Sequence, residues 1–70
     1  MKVGDTVMFT DEESRYVQWF YGKIGVVERI GVTRASSCRV RWTALVPYHE
    51  NLSAYSDFPS NSFTILVSNA

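Results

Sequence analysis

The sequence predicts one small all-β domain, because three of its features agree. Short runs of β-branched and aromatic residues recur along the chain, and glycine, proline, serine and asparagine separate them. One run alternates strictly between apolar and charged residues, as a half-buried strand does. No stretch keeps the apolar period of a long amphipathic helix. We expect residues 1–70 to form a single barrel or sandwich of about four or five short strands.

The first strand is predicted over Thr6–Thr10, directly after the turn signal Gly4-Asp5. Residues 11–21 follow, with a polar beginning and an aromatic end. The polar beginning could cap a single helical turn, but the aromatic residues after it are mediocre helix formers. We therefore expect a long ordered loop that folds its aromatic side chains inward.

Two glycines bracket the entry to the second strand, which is predicted over Val26–Ile30. The short spacing of Gly22 and Gly25 predicts positive φ angles or a close backbone approach at this entry. Residues 31–37 are predicted to be a hairpin connection. The third strand then covers Cys38–Trp42, the most regular alternation in the chain.

The alternation in the third strand assigns its side chains to two faces. Cys38, Val40 and Trp42 share one face, which we expect to be buried. Arg39 and Arg41 share the opposite, outward face. Cys38 is then most simply a small core residue rather than a reactive thiol.

The least regular stretch is residues 43–56, which contain a proline and several turn-forming residues. Within it, Ala44-Leu45-Val46 is predicted to extend the third strand or to begin a protruding loop, and a short strand is predicted near Ala54–Phe58. Residues 59–62, Pro-Ser-Asn-Ser, predict a turn, and the last strand is predicted over Phe63–Val67.

Four segments together resemble a small SH3-like barrel of the KOW type, in which a glycine-bracketed entry leads into a strand with an aliphatic end. The segments are VGDTVMF at 3–9, GKIGVVERI at 22–30, CRVRW at 38–42 and FTILV at 63–67. The resemblance implies a five-stranded SH3-like barrel with a long aromatic loop between strands one and two. Short bacterial and phage-encoded proteins of this style look similar.

The resemblance also implies where a partner would bind. In KOW domains the loops around the glycine motif meet RNA or ribosomal protein, and the matching positions here are Gly22, Lys23 and Gly25. Residues 59–62 are similar to the Pro-Ser-Asn-Tyr turn of eukaryotic SH3 domains. Ser62 stands where those domains have a groove-forming tyrosine, so we do not expect proline-rich peptides to bind.

The charge balance argues against a general nucleic-acid binder. Seven basic and seven acidic residues give a net charge of zero, whereas a domain that neutralises phosphates is usually basic. The bases are nevertheless clustered, because the stretch from residue 29 to residue 49 has no acid and four arginines: Arg29, Arg34, Arg39 and Arg41. A local patch for phosphates or carboxylates therefore stays possible.

Neither catalysis nor a bound cofactor is expected. One cysteine and one histidine cannot complete a closed zinc site, so no metal is expected. The chain has no phosphate-binding glycine loop and no nucleophile motif, and we read His49 as an exposed loop residue. Its beginning, MKVGDTVMF, lacks a signal-peptide pattern, and no segment could span a bilayer. We therefore expect a cytoplasmic protein that does not bind membranes.

The aromatic residues are expected to serve both core and surface. We expect Trp19 or Phe20 to be buried together with Trp42, and Tyr16 and Tyr21 to lie near the rim, where their hydroxyls reach water. The candidate partner-binding surface combines aromatic and basic residues: Tyr16, Tyr21, Lys23, Arg39, Arg41 and Tyr48.

The expected function is non-catalytic binding of a macromolecular partner, a protein rather than a nucleic acid, with no small-molecule substrate. One alternative is a KOW-like module that binds RNA or DNA or associates with ribosomes. A second alternative is a small structural subunit held in a larger assembly by an edge strand. The arginines could also merely solvate the domain, paired with Glu28, Asp5 or Asp57.

Overall fold

The computed structural model describes residues 1–32 and 34–69, which form one five-stranded antiparallel sheet with little helix. The prediction of an all-β chain is therefore confirmed. The strands are β1 (Thr6–Phe9), β2 (Ile24–Ile30), β3 (Ser37–Tyr48), β4 (Asn51–Pro59) and β5 (Phe63–Val67). A one-turn helix, α1 (Val17–Phe20), precedes β2, and a 3₁₀ turn (Ser60–Ser62) precedes β5. No helix in the described part of the chain is long and apolar enough to cross a membrane.

The sheet order is β4-β3-β2-β1-β5. Consecutive strands pair from β1 to β4, and β5 returns to pair with β1. β4 and β5 are consequently the two edges. Because these edges do not pair with each other within the described residues, the sheet is not closed into a barrel, and the SH3-like barrel remains a prediction.

In residues 43–56 the predicted extension of the third strand is confirmed, since β3 continues through Ala44–Val46 to Tyr48, while β4 begins at Asn51, before the strand predicted near Ala54–Phe58. Arg41 pairs with Tyr55 and Val46 with Ser53, so four residues of β3 (42–45) lie opposite one residue of β4. This bulge bends the hairpin without ending it. Turn-forming residues within the stretch obscured the strands, because a bent edge hairpin tolerates residues that a central strand excludes.

The other boundaries shift only slightly. β1 ends one residue before its predicted end, and β2 begins two residues before its predicted start. The loop at residues 11–21 contains the single helical turn that its polar beginning could cap. The hairpin connection at residues 31–37 includes Thr33, which lies outside the described residues.

The core lies on one face of the sheet. Phe9 is fully buried at its centre, with ring centroids 5.0 Å from Phe58, 5.6 Å from Phe63 and 6.2 Å from Phe20. The buried hydrophobic residues are Val7, Phe9, Phe20, Val27, Cys38, Val40, Trp42, Val46, Phe58 and Phe63. The predicted burial of Phe20 and Trp42 is therefore confirmed, as is the alternation of β3.

Of the two glycines at the entry to β2, one has a positive φ angle and the other allows a close backbone approach. The short spacing of the two glycines predicts these features. Gly22 has φ +79° and has open space around it. Gly25 lies in the middle of the sheet, between Val7 and Trp42. A Cβ at Gly25 would run into the Val40 side chain and lie 2.6 Å from the Arg41 carbonyl oxygen.

One buried carboxylate joins the two ends of the described chain. Asp5 is 1% exposed, and its Oδ2 accepts a hydrogen bond from the Lys2 N–H at 2.9 Å. Its Oδ1 accepts one from the Asn69 N–H at 2.7 Å, just after β5. These hydrogen bonds from Asn69 and Lys2 hold the pKa of Asp5 below its ordinary value of 3.8. Asp5 therefore fixes the end of β5 beside the start of β1.

Replacing Gly25 with alanine should destabilise the fold more than replacing Gly22. Gly25→Ala forces a methyl group into backbone and core atoms, which should cost about 3 kcal/mol or more. Gly22→Ala places alanine at positive φ in open space, which should cost about 1–2 kcal/mol. Urea unfolding of both variants measures the difference. A larger loss for Gly22→Ala would contradict the close packing at Gly25.

The Asp5 carboxylate should make stability depend on acidity. Because folding lowers its pKa, its contribution is fully present above the ordinary value of 3.8 and is lost as pH falls through the folded pKa. Asp5→Asn should therefore lower the melting temperature at neutral pH and flatten its fall between about pH 4 and pH 2. Thermal unfolding followed by circular dichroism measures this. Glu13→Gln, which removes an exposed carboxylate, is the control and should keep the wild-type slope.

Candidate binding surface

Residues 11–21 bring two aromatic side chains to the core through one helical turn. The Ser14 carbonyl oxygen accepts a hydrogen bond from the Val17 N–H, and the Ser14 hydroxyl accepts one from the Tyr16 N–H, both at 3.1 Å. The turn closes where the Phe20 N–H donates to the Tyr16 carbonyl oxygen. Residues four apart lie on the same side of a helix, so Tyr16 and Phe20 face the core together.

Beyond the bend, β3 and β4 form a hairpin arm, residues 46–53, which packs against α1. The Tyr48 ring on this arm lies 5.0 Å from Trp19, 5.6 Å from Phe20 and 5.9 Å from Tyr16. Each of these pairs is within the range of favourable aromatic contacts. The arm therefore stays beside α1 through aromatic packing, and both tyrosines remain only partly buried.

His49 forms the tip of the arm and is exposed, as predicted. It has φ +56°, in the left-handed region, and its ring lies 4.3 Å from Tyr48 and 5.0 Å from Trp19. Within residues 1–32 and 34–69, no group of three or more His, Cys, Asp or Glu side chains could hold a metal ion.

An open groove of about 330 Å³ lies between α1 and the arm, and we call it the aromatic groove. Its floor is formed by Phe20 and Phe58, whose ring centroids lie 5.1 Å apart. Its volume is at the low end of the range for ligand pockets. An open groove of this size suits one side chain or a short extended segment. It is lined by Tyr16, Phe20, Tyr48, Ser53, Ser56, Asp57 and Phe58.

The polar groups of the groove fall into two kinds. The hydroxyls of Tyr16 and Tyr48 have no hydrogen-bond partner among the described residues, so they are open to an incoming group. By contrast, the Ser56 hydroxyl accepts a hydrogen bond from Trp42 Nε1 at 3.1 Å. Asp57 is engaged as well, because both of its carboxylate oxygens accept hydrogen bonds from Arg39, at 2.9 and 3.1 Å.

The outward face of the sheet carries two ion pairs around one tyrosine. Arg39 pairs with Asp57 across β3 and β4, and Arg41 pairs with Glu28 at 2.8 Å. Their guanidinium carbons lie 4.9 and 6.0 Å from the centre of the Tyr55 ring, in cation–π range. Both arginines of the predicted patch are therefore neutralised locally.

Two of the three carboxylates considered as arginine partners take that role, and the third does not. Asp57 and Glu28 bind the arginines, while Asp5 binds backbone N–H groups instead. Arg29 lies opposite Arg39 in the register of β2 and β3, as expected of neighbouring strands. Within the described part of the chain, Arg29 has no ion pair.

The six predicted surface residues fall into three groups. Tyr16 and Tyr48 meet in the aromatic groove, and Arg39 touches the groove only through Asp57. Arg41 lies on the outward face beside Glu28. Tyr21 and Lys23 flank the turn after α1. Both are exposed, and the Tyr21 hydroxyl donates a 3.3 Å hydrogen bond to Glu12 rather than joining the groove.

Sequence reasoning missed the β4 side of this surface. Ser53, Ser56 and Asp57 line the groove, and Tyr55 packs beneath the arginines. A signal was present over part of this stretch, because residues 55–58 alternate between the two faces as a strand does. That alternation was obscured by the small polar residues in it, which are as common in turns as in edge strands.

Cys38 lies in the core rather than in a site. It is fully buried, and this burial raises the pKa of its thiol above the ordinary value of 9.0. A buried thiol with a raised pKa is a poor nucleophile. The prediction that Cys38 is a core residue is confirmed.

Labelling of Cys38 should report unfolding rather than surface chemistry. A thiol reagent should react with native protein roughly a thousandfold more slowly than with protein unfolded in urea, because the native thiol reacts only when the structure opens. Both labelling rates are measured from the absorbance of the thiolate that the reagent releases when it reacts. Equal rates in the two states would show that Cys38 is accessible in the folded chain.

Comparison of the chain with protein families, curated proteins and solved structures finds no match.

Proposed function

We propose that this chain is a non-catalytic module that binds a protein partner through the aromatic groove. The observation that carries the proposal is the pair of partly buried tyrosines, Tyr16 and Tyr48, with unbonded hydroxyls above a phenylalanine floor. Aromatic side chains of this kind dominate the energy of protein interfaces, because they combine apolar area with a hydrogen-bonding end.

The partner contact that fits this groove is a short extended segment with one large apolar side chain. That side chain would pack on Phe20 and Phe58 between the two tyrosines. The tyrosine hydroxyls would then donate hydrogen bonds to backbone carbonyl oxygens of the segment. Without these hydroxyls, the groove would leave those carbonyl oxygens unpaired. Such a contact uses both tyrosine hydroxyls that the domain itself does not satisfy.

The charge of the groove favours a protein over a nucleic acid. The one ionised side chain among the residues lining it is Asp57, which is paired with Arg39, so the groove offers phosphates no free positive charge. The two arginines of the outward face are already paired with Asp57 and Glu28. Binding of RNA or DNA by these arginines would first have to break ion pairs within the domain.

We also propose that the fold is an SH3-like barrel in which the two edge strands, β4 and β5, are not hydrogen-bonded to each other. Support comes from the unbroken meander β1 to β4, the return of β5 to β1 and the 3₁₀ turn at Ser60–Ser62. A cytoplasmic location is the matching proposal, supported by the free thiol of Cys38, since unpaired cysteines are typical of reducing compartments.

Filling the groove tests the binding proposal. Ser53→Trp places an indole in the groove, from a partly exposed position on the arm. Tagged wild-type and variant proteins are used to capture partners from lysate of the source organism, with and without nuclease, and the products are quantified by mass spectrometry. We expect one stoichiometric protein that survives nuclease with wild type and falls about tenfold with Ser53→Trp.

Leu52→Trp is the matched control, because Leu52 is the next residue along β4, is 62% exposed and points to the opposite face of the arm. It should capture the partner as wild type does, and circular dichroism should show that both variants fold. Equal capture by Ser53→Trp and wild type would remove the groove from the interface. Capture lost on nuclease treatment would instead support the nucleic-acid alternative.

A further inference from the structure

The β5 edge exposes three consecutive apolar residues. Ile65 is 42% exposed, Leu66 45% and Val67 62%, although they belong to a strand that pairs with β1, with a bulge at Leu66. Only Phe63, at the start of β5, reaches the core. An exposed apolar run of this length is unfavourable for an isolated domain unless a partner covers it.

The backbone of β5 also presents free hydrogen-bonding groups. Phe9 uses its N–H and carbonyl oxygen toward β2, bonding Lys23 at 3.0 Å and Gly22 at 2.9 Å. In an antiparallel sheet, successive residues of a strand direct their N–H and carbonyl groups to opposite sides. Because Phe9 bonds toward β2, Met8 bonds toward β5, where its partner is Thr64. The N–H and carbonyl oxygen of Ile65, one residue on, therefore point away from β1. They lie on the open edge of the sheet, since β5 has only one neighbouring strand.

We propose that β5 pairs antiparallel with β5 of a second copy of this chain, with the two-fold axis at Ile65. In this register the two Ile65 residues exchange N–H to carbonyl hydrogen bonds, next to the bulge at Leu66. The paired edges form one continuous sheet of both copies. The proposal is independent of the aromatic groove, which lies beside the other edge strand, β4.

Charge favours a second copy as the occupant. Residues 58–69 contain no ionised side chain, and the whole chain has zero net charge, so two copies meet at this edge without repulsion. Every antiparallel register of β5 with itself pairs uncharged, mostly β-branched residues, which are favourable cross-strand neighbours.

The β4 edge, by contrast, carries the features that block strand addition. Pro59 lacks an N–H, and Glu50 brings a negative charge to the turn before β4. Proline and charge are the usual protections of edge strands.

The second observation that favours β5 is its fixed position. The Asn69 N–H and side-chain amide bond the Asp5 carboxylate and the Val3 carbonyl oxygen, at 2.7 and 3.2 Å, directly after the strand ends. An edge held at both ends loses little conformational freedom when another strand adds to it. β5 is therefore preorganised as a pairing template.

Sedimentation velocity of the untagged wild-type protein, from about 1 to 100 μM, tests the proposal, because a short strand pair should associate in the micromolar range. We expect a monomer–dimer equilibrium. Ile65→Lys places two ammonium groups opposite each other at the axis and should raise the dimer dissociation constant at least about tenfold. Leu66→Lys is the second variant, for use if Ile65→Lys fails to fold.

Leu52→Lys is the matched control, since it puts the same charge on an exposed leucine of the opposite edge strand. It should dimerise as wild type does. A wild-type protein that stays monomeric at about 100 μM would overturn the proposal. So would dimerisation that Leu52→Lys weakens as much as Ile65→Lys does, because the contact would then not be specific to β5.

Discussion

The packing of three phenylalanines around Phe9 is the interaction on which the rest of this structure depends. The described residues form one five-stranded sheet, which buries its apolar side chains in a single core cluster. Phe20, Phe58 and Phe63 come from α1, β4 and the start of β5, and they meet Phe9 from three directions. Loss of this contact would release the helical turn and both edge strands together.

The small size of the elements that cover the core also explains the groove. One helical turn and the hairpin arm cover the core, but they are too small to exclude solvent completely between them. Tyr16 and Tyr48 complete the aromatic cluster while leaving their hydroxyl ends exposed, which is the arrangement that tyrosine suits. The proposed binding surface is thus the incompletely covered margin of the core, where the same side chains would serve both the fold and the proposed function.

The sequence predicts those features that depend on local pattern. The faces of β3, the burial of Trp42 and the special role of Gly25 all follow from alternation or spacing within a few residues. The bend of β3 and the ion pair between Arg39 and Asp57 do not, because each depends on strand register. A bulge sets the register of β3 against β4, and that register brings Asp57 to the arginine. Bulges have no sequence signature that alternation alone could reveal.

The two edges of the sheet differ in a way that divides their roles. β4 carries Asp57, ends in Pro59 and borders the groove, so its contacts are made by side chains and its backbone edge is protected. β5 is uncharged, apolar and held in place through Asp5, so its contacts must be made largely by the backbone, which recognises another strand and little else. Side-chain recognition at one edge and strand pairing at the other do not compete for the same atoms. A module of this construction could therefore dimerise and still present two grooves, which would raise its apparent affinity for any partner that offers two copies of the recognised segment.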